Sequence, residues 1–533
     1  MRIGTPLKHD TRDGPFDAIV VGSGIGGLAT AAILAREAGR RVLVLERHYT
    51  AGGFTHVFHR PGFEWDVGVH YVGDVHRPGS ALRRLFDYLS RGRLAWARMD
   101  DVYDRVVIGE RHYDFVAGHE AFRARMQAYF PAETGGIDAY LDATRRCARA
   151  SGAYFAEKAM PGPIAFLAGG VIRHGFMKYA AQTTLEVVQG CTRNAELAGV
   201  LTAQYGDYGL PPGESSFGMH AIVAAHYLEG AAYPAGGSSA IAASVLPTIE
   251  EAGGAVLVDA EVDDILIDAG AAVGVRITGG REFRAPVVVS DAGVATTFER
   301  LVPDGTPGRS AYLDLVSRIG PSAGHVCLYV GLDGSASELR LSTTNLWIHP
   351  SADHDANVAA YLADDRAPLP MVYISFPSAK DPDFARRYPG RSTVEVLTLA
   401  PYGRFVTWAE ERWRRRGDDY EQVKARMTDR LLEHLYAHVP QARGRVLHAE
   451  LSTPLSTRHF ANYGRGEIYG LNHTPARFAE RMLKPATAIK GLFLTGQDIC
   501  TAGVGGAAFG GVITASAVLH RNVLNTILEK DPA

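Results

Sequence analysis

A dinucleotide-binding fingerprint near the start of the chain constrains its fold more than any other feature. Residues 18–46 comprise an apolar run, the glycine pattern G-S-G-I-G-G, a stretch rich in alanine and leucine, and a second apolar run that ends in Glu46. Gly22 permits the tight turn after the first strand, Gly24 lets the backbone approach a pyrophosphate, and Gly27 allows close packing of the helix. N–H groups at the start of that helix point at the phosphates, and Glu46 can accept hydrogen bonds from a ribose diol. The segment predicts a Rossmann-type βαβ unit for FAD or NAD, since an acid at this position opposes a 2′-phosphate.

A glycine pair just beyond the fingerprint favours one of the two dinucleotides. Gly52 and Gly53 lie in a loop directly after the second apolar run, where an NAD-only unit would return quickly to a strand and a helix. Paired glycines suit close approach of the backbone to a longer cofactor. FAD is therefore the predicted cofactor.

Two segments near the C-terminus complete the predicted cofactor site. Residues 491–498 form a short apolar strand that ends in Asp498, and residues 503–516 form a helix of small residues. We expect the positive end of this helix, near Gly505, to stabilise an anionic reduced flavin. Asp498 would bind the ribityl or phosphate part of the cofactor through hydroxyls and amides; the alternative is that it caps a helix.

The order of these motifs resembles the phytoene desaturase, carotenoid isomerase and retinol saturase flavoproteins. The shared set is the fingerprint, the glycine pair, a Y-P-A-G-G segment, a V-V-S-D-A-G strand, and a T-G-Q-D strand followed by a glycine-rich helix. Residues 206–217, 226–227, 376–382 and 468–473 are most similar to the retinol saturase branch. The resemblance covers residues 16–520. It implies a non-covalently held FAD and chemistry on carbon–carbon bonds of a conjugated polyene, without indicating which bond or which direction.

The fold class expected from these motifs is α/β. A Rossmann-type FAD-binding domain like that of glutathione reductase is split in sequence over residues 1–90, 228–300 and 485–533. The substrate-binding domain, residues 91–227 and 301–484, is predicted to be an α+β unit in which helices cover an antiparallel sheet.

Hydrophobic periodicity predicts the main elements of this second domain. In its first part we expect mainly helices, at 121–129, 137–151 and 175–189. In its second part we expect strands at 325–332, 371–376 and 393–398 and a charged helix at 408–435. Residues 254–267, in the cofactor domain, read as a pair of strands.

The residues expected to bind FAD lie in the motifs above. They are Gly22, Ser23, Gly24, Gly26, Gly27, Glu46, Arg47, Gly52, Gly53, Val262, Gly496, Asp498, Gly505, Gly506 and Ala507. His70 and Tyr71 follow the glycine-pair loop, which the resemblance places near the flavin ring, and either would gate the site or pass a proton. His226, His325 and Tyr469 are weaker candidates. Two alternatives stay open: His70 is purely structural, or solvent manages the proton and no strong acid is needed.

Composition excludes several other classes of protein. At 533 residues and 46% hydrophobic, the chain exceeds the roughly 250–300 residues at which one core stops growing. A net charge of -3 argues against a nucleic-acid partner. The four cysteines show no C-x-x-C spacing, which excludes a disulfide oxidoreductase and a zinc knuckle and fits a reducing compartment. We expect a cytoplasmic protein with no metal site.

Contact with a membrane is expected to be peripheral at most. The first 16 residues are polar and lack the apolar stretch of a signal peptide. The apolar segment 161–172 has only 12 residues, short of the roughly 20 that span a bilayer. Residues 77–98 are basic, with Leu82, Leu85, Phe86 and Leu89 on one helical face. Such a helix either rests on anionic lipid or is a solvated surface helix.

Three function classes follow. The first is an FAD-dependent oxidoreductase that saturates, desaturates or isomerises an apolar polyene such as a carotenoid or retinoid. The second is a flavin oxidase of amines or porphyrinogens, and the third is a non-catalytic prenyl- or lipid-binding relative, which would have no use for a complete cofactor site. One glycine fingerprint lies between a strand and a helix, so a separate nicotinamide-binding domain is not expected. Reducing electrons would come from an external donor: another protein, or a nicotinamide that touches the ring transiently. In desaturation the substrate itself supplies them.

Overall fold

The computed structural model describes residues 2–10, 15–160 and 162–529. Residues 1 and 11–14 of the polar N-terminal stretch lie outside this range. So do Pro161, at the start of the short apolar segment, and residues 530–533 of the last segment assigned to the cofactor domain.

One half of the molecule is built around a parallel sheet, which has six strands among the described residues. Its strands are, in spatial order, Thr5–Pro6, Ala255–Val258, Val42–Leu45, Ala18–Val21, Val288–Ser290 and Leu492–Leu494. Most of their apolar side chains are buried, as expected for a parallel sheet covered on both faces. All six strands lie within the three segments assigned to the cofactor domain, and the α/β fold class is confirmed. The domain boundaries themselves stay a prediction.

Five of the helices described belong to the same half of the molecule as this sheet. They are Ile25–Ala38, Ala81–Ser90, Ser239–Glu250, Gly503–Leu519 and Leu524–Glu529. Helix Ile25–Ala38 contacts both Gly503–Leu519 and Ser239–Glu250. A Cβ on Gly511 would lie 2.6 Å from the Cβ of Ala29, so the glycine allows the two helices to approach this closely.

A seven-stranded sheet lies at the centre of the second half of the molecule. In spatial order its strands are Val446–Ser452, His325–Asp333, Arg391–Leu399, Val372–Ser375, Asn345–His349, Val102–Ile108 and Arg111–Val116. Neighbours are antiparallel except Asn345–His349 and Val102–Ile108, which run parallel. The last two strands come from the part of the chain expected to be mainly helical, where charged residues interrupt the apolar pattern of Val102–Ile108.

The helices in the first part of the substrate-binding domain, residues 91–227, differ in one place from those expected from the sequence. The structure has His119–Tyr129, Thr134–Glu157, Gly162–Ala180, Thr184–Cys191, Ala195–Leu201 and Phe217–Tyr227. A single helix over 175–189 is therefore wrong. Thr183 starts a new helix there with a capping box, in which its hydroxyl accepts from the Glu186 N–H and the Glu186 carboxylate accepts from the Thr183 N–H.

The remaining elements are short or peripheral. Further helices are Val294–Thr296, Arg309–Ile319, His354–Ala363, Pro377–Lys380, Phe384–Arg387, Gly417–His438, Pro454–Ala461 and Pro475–Ala479. The charged helix expected at 408–435 thus begins at Gly417. Small antiparallel sheets are formed by Val262–Asp268, Ala271–Ile277 and Glu282–Arg284, by Val72–Gly73, Ala231–Pro234 and Trp96–Arg98, and by the hairpin Val57–Arg60 and Phe63–Asp66.

The expected pairing of strands within residues 254–267 is wrong. Ala255–Val258 joins the parallel sheet, whereas Val262–Asp268 pairs with Ala271–Ile277. Asp259, between the two, has a left-handed backbone with φ of 55°, and it turns the chain from one sheet to the other.

The basic helix within residues 77–98 does not present an apolar face to lipid. Leu82, Leu85, Phe86 and Leu89 are at most 5% exposed, because helix Ala81–Ser90 packs against Ser239–Glu250 and Leu524–Glu529. The lipid-surface interpretation of this helix is therefore wrong. Among the helices described, none combines the length and apolar character needed to cross a bilayer.

Candidate cofactor and substrate cavity

One cavity of about 1450 Å³ runs between the two halves of the molecule. This exceeds the roughly 300–1,000 Å³ of a usual small-molecule pocket, so it has room for a large cofactor and a second ligand. Most of the residues expected from the sequence line it: Gly22, Gly24, Gly26, Glu46, Arg47, Gly52, Gly53, His70, Tyr71, Val262, Asp498, Gly505, Gly506 and Ala507. The structure thus brings together motifs that lie far apart in the chain.

Three of the expected cofactor residues do not line the cavity. The Ser23 hydroxyl donates to the Glu46 carboxylate at 2.7 Å and accepts from the Gly52 N–H at 3.0 Å. Gly27 packs against the carbonyl oxygen of Gly22, and Gly496 lies against Gly26. Ser23, Gly27 and Gly496 therefore support the site by holding its loops together.

The fingerprint loop offers backbone N–H groups to the cavity. Helix Ile25–Ala38 starts after Gly24, which has no side chain to cap it, and the N–H groups of Gly24 and Gly27 face the Asp291 carboxyl group. Gly53 lies against this loop, since a Cβ on it would be 3.0 Å from the Cα of Gly24. Uncapped N–H groups at a helix start are donors for an anion.

Glu46 occupies the position expected for a ribose-binding acid. Its carboxylate accepts from the Ser23 N–H at 3.0 Å and the His48 N–H at 2.8 Å, in addition to the Ser23 hydroxyl. It is 8% exposed. A carboxylate has about four acceptor sites, so capacity remains on the side that faces the cavity.

Asp291 is a cavity residue that the sequence analysis did not single out. A Cβ on Gly24 would collide with its carboxyl group. Burial, helped by the carboxylates of Glu46 and Asp498, raises the pKa of Asp291 to about 8, although the N–H groups of Gly27 and Gly24 oppose this. The sequence contained a signal for this residue: Asp291 directly follows the buried strand Val288–Ser290, just as Glu46 follows Val42–Leu45.

The second helix of small residues also begins at the cavity. Gly503–Leu519 follows Ala502, and again no side chain caps its N-terminus. A Cβ on Gly506 would collide with the backbone of Thr501. Residues 503–506 line the cavity, so the positive end of this helix faces it, as expected for Gly505 and its neighbours.

Asp498 is held by backbone from two other segments. Its carboxylate accepts from the Val294 N–H at 2.8 Å and from the Leu471 N–H at 2.9 Å. Arg477 Nη1 lies 3.6 Å from Asp498 Oδ1, and both side chains are almost completely buried. Asp498 thus caps the short helix Val294–Thr296 from a distant segment, and it lines the cavity as well.

Arg47 and Val262 lie at the edge of the same site. Arg47 donates to the carbonyl of His459 at 2.8 Å and pairs with Glu261 at 3.3 Å. Val262, which follows Glu261, is 8% exposed. The two strands behind them are thereby tied to helix Pro454–Ala461.

His70 lies in a buried network of charged groups. Its Nδ1 is 2.8 Å from Glu395 Oε2, and Lys380 Nζ donates to the His70 carbonyl at 2.9 Å and to the Ser375 hydroxyl at 2.8 Å. Burial and the nearby Lys380 lower the pKa of His70 to about 3. The imidazole is therefore neutral at physiological pH.

Burial also shifts the partners of His70. It raises the pKa of Glu395 to about 8 and lowers that of Lys380 to about 7. Both were missed in the sequence analysis, although a glutamate inside the apolar strand Arg391–Leu399 is itself a signal of a buried polar site.

Tyr71 connects the cavity to a second buried acid. Its hydroxyl donates to Asp104 Oδ2 at 2.9 Å, and its ring stacks on Tyr227 with centroids 4.2 Å apart. Asp104 also accepts from Gln204 at 2.7 Å and Asn345 at 2.9 Å.

The weaker candidates have structural partners or no proton to give. His226 Nε2 accepts from the Gly73 N–H at 2.8 Å, and the Tyr469 hydroxyl donates to the Gly206 carbonyl at 2.9 Å. Burial lowers the pKa of His226 and of His325 to about 4. All three residues line the cavity.

Comparison with known proteins agrees with the fold. Residues 20–89 match the model of an NAD(P)-binding Rossmann-like domain. Solved structures with the same fold include an oxidoreductase from Methanosarcina mazei (TM-score 0.60, 16% identity, 95% of this chain and 100% of that chain). Putrescine oxidase bound to putrescine has a TM-score of 0.60 at 15% identity, over 95% of this chain and 100% of that chain. The fold and the family model define a protein with a Rossmann-like dinucleotide-binding domain.

Sequence relatives identify the family. All-trans-retinol 13,14-reductase of Danio rerio is 37% identical over 95% of this chain and 86% of its own length. The human protein of the same name is 35% identical over 97% and 87%. The chain belongs to the all-trans-retinol 13,14-reductase family, which confirms the resemblance to the retinol saturase branch. A second Danio rerio relative, 32% identical over 95% and 86%, is named an inactive all-trans-retinol 13,14-reductase, so membership does not by itself assign the activity.

Proposed function

We propose that this protein binds FAD without a covalent bond and reduces a carbon–carbon double bond of an apolar conjugated polyene of the retinoid class. The observation that carries the proposal is the single cavity, which begins at the glycine fingerprint and continues between apolar and aromatic side chains. These include Met219, Ile222, Val223, Tyr227, Leu397 and Ile468. A flat, apolar chain is bound by such walls through burial rather than through charge.

The residues present fit FAD. Two helix starts, at Gly24 and Gly503, lie at one cavity where their N–H groups suit anionic groups, and Glu46 offers acceptor capacity to a diol. Gly52 and Gly53 leave room for close approach. When bound and reduced, FAD supplies a hydride; the protein's part is to hold ring and polyene together and to manage the proton.

The alternatives have less support. Similarity to putrescine oxidase at 15% identity concerns the fold alone. A non-catalytic lipid carrier would not need the donors and acceptors of the fingerprint. Desaturation and isomerisation use the same cavity, but the family named above is one of reductases. An external electron donor belongs to the proposal, because residues 20–89 contain the one nucleotide-binding domain matched.

We place the expected peripheral membrane contact on helix Gly162–Ala180. Phe166, Leu167 and Val171 are 78–83% exposed on one side of it. Phe155, Ala156, Lys158, Ala159 and Met160, just before this helix, line the cavity. An apolar substrate could pass from lipid to the cavity along this side, and the exposed His174 and Lys178 on the same helix suit an anionic lipid surface.

The test is anaerobic reduction with photoreduced, FAD-loaded protein and, in turn, all-trans-retinol, phytoene and a conjugated fatty acid. We expect the absorbance of the accepted polyene to shift to shorter wavelength as conjugation is lost, while the flavin is reoxidised. Oxidised protein is the matched control and should leave the spectrum unchanged. Unchanged spectra for every polyene, with rapid flavin reoxidation by an imine or a porphyrin, would overturn the proposal in favour of an oxidase.

A further inference from the structure

A carboxylic acid in the wall of the cavity has no role in the site described so far. We propose that Asp207, with Tyr71 beside it, is the catalytic residue that donates the proton when the polyene double bond is reduced, an inference that rests on the proposed function. Asp207 belongs to the G-D-Y-G segment that resembles the retinol saturase branch.

Asp207 is placed at the cavity by the turn Ala203–Asp207. The hydroxyl of Tyr469 donates to the carbonyl of Gly206 and holds this turn. Asp207 lines the cavity together with Tyr71, Tyr227 and Tyr469. Its Oδ2 atom is shielded and has no hydrogen-bond partner among the described residues. A buried carboxyl oxygen left without a partner is rare in native proteins, and it indicates a group kept for a ligand or a reaction.

The hydrogen bonds of Tyr71 determine where a proton is stored. The Tyr71 hydroxyl lies near Asp207 as well as Asp104. Burial raises the pKa of Asp104, but its carboxyl group accepts from Tyr71, Gln204 and Asn345, and these three donors favour its charged form. Because the single hydroxyl proton of Tyr71 is given to Asp104, it cannot also be given to Asp207. The Tyr71 oxygen is thus left as an acceptor for a proton held on Asp207.

The surroundings favour the neutral form of Asp207. Burial raises its pKa well above the usual range, and the Asp104 carboxylate adds to this. His70, the candidate expected from the sequence, is by contrast a neutral imidazole without a second proton. Asp207 thus keeps an acidic proton inside an apolar cavity at physiological pH.

The proposed reduction transfers one hydride and one proton to the double bond. One alkene carbon accepts a hydride from reduced FAD, which is thereby oxidised. The π electron pair forms the new C–H bond at the adjacent carbon with the Asp207 proton, and the O–H bond of Asp207 breaks. The carboxylate left behind accepts a hydrogen bond from Tyr71, whose hydroxyl turns to it from Asp104, and regains a proton from water that enters the cavity. General acids of this kind contribute typically 10²–10⁴-fold to a rate.

The variant Asp207→Asn keeps the shape of the side chain and removes the acid. We expect polyene reduction in single-turnover stopped-flow experiments to slow by about 100-fold or more, with FAD content and retinol affinity unchanged. Asp207→Glu should recover part of the rate. The matched control is Asp355→Asn: Asp355 accepts from the Gly213 N–H at 2.9 Å and burial raises its pKa too, yet it does not line the cavity.

A second readout does not depend on activity. Infrared difference spectra between wild type and Asp207→Asn at neutral pH should show one protonated carboxyl band that the variant lacks, because the bands of Asp291 and Glu395 are common to both proteins and cancel. Absence of that band, or Asp207→Asn as fast as wild type, overturns the inference and leaves the proposed function intact. A wild-type protein that reduces no polyene overturns the proposed function and this inference with it.

Discussion

The cavity has a nucleotide end, at Gly24 and Gly503, and a polyene end, at Tyr71 and Asp207, and the two ends are built by different means. At the nucleotide end the groups that face the cavity are backbone N–H donors at two helix starts, after Gly24 and Ala502. At the polyene end they are side chains such as Tyr71, Asp207 and Tyr469, each from a different part of the chain. Backbone donors are fixed by the secondary structure itself, whereas the side chains depend on tertiary packing.

Both ends also contain a carboxyl group whose pKa is raised by burial, with opposite consequences. Asp291 lies against the fingerprint glycines, where an additional negative charge would repel a phosphate. Asp207 lies where a proton is needed. The same physical effect, loss of water around an acid, thus removes a charge at one end and stores a reactant at the other.

The largest effect is expected at the nucleotide end. In Gly24→Val the new side chain collides with the Asp291 carboxyl group and fills the space of a pyrophosphate, so bound FAD should fall from about one per chain to almost none. The flavin-to-protein absorbance ratio after gel filtration measures this. Gly190→Val is the control, because a Cβ there has nothing within 4 Å. Full flavin content in Gly24→Val would show that the fingerprint is not the pyrophosphate site.

Asp498→Ala should destabilise the fold before it affects the cofactor. Removal of the carboxylate leaves Arg477, 2% exposed, without its ion-pair partner and frees two buried N–H groups. Loss of one partner of such a pair costs roughly 3–5 kcal/mol. Chemical denaturation of the FAD-free protein measures it. If stability is unchanged and only FAD is lost, Asp498 is a direct cofactor ligand instead.

The affinity for FAD should decrease as the pH rises through about 8, the pKa of Asp291. Below that pH the acid is neutral; above it the carboxylate repels the phosphates, and linkage limits the loss to about tenfold per pH unit. Fluorescence titration of the FAD-free protein at pH 6.5 and 9.5 compares the two states. In Asp291→Asn this pH dependence should disappear, and a dependence that persists would exclude Asp291 as its origin.

The smallest effect concerns the route to the polyene end. Phe166→Ser with Leu167→Ser should weaken binding to anionic vesicles about fivefold, because two exposed apolar side chains no longer enter the lipid. Co-sedimentation with phosphatidylserine vesicles provides the measurement. Val406→Ser, at a residue 54% exposed elsewhere on the surface, is the matched control. Equal binding of both variants would argue against helix Gly162–Ala180 as the contact.

The difference between the two ends also explains what could be predicted from the sequence. Gly22, Gly24, Glu46 and the pair Gly52 and Gly53 lie within about 30 residues, and backbone conformation demands those residue types, so a local pattern reveals them. The Tyr71 to Asp104 hydrogen bond joins segments that no local periodicity connects. The strand Val102–Ile108 was missed for the same reason, because its buried Asp104 has partners only in the folded protein.

Strand order in the parallel sheet constrains how the protein is made. Ala18–Val21 and Val42–Leu45 lie in the middle of the sheet, but Val288–Ser290 and Leu492–Leu494 complete it. At the roughly 5–20 residues per second of translation, the first two strands wait on the order of 20–90 s for the last one. Chaperones have that interval in which to cover their apolar faces. The complete cofactor site consequently forms only after residues 503–506, which line the cavity, have been synthesised.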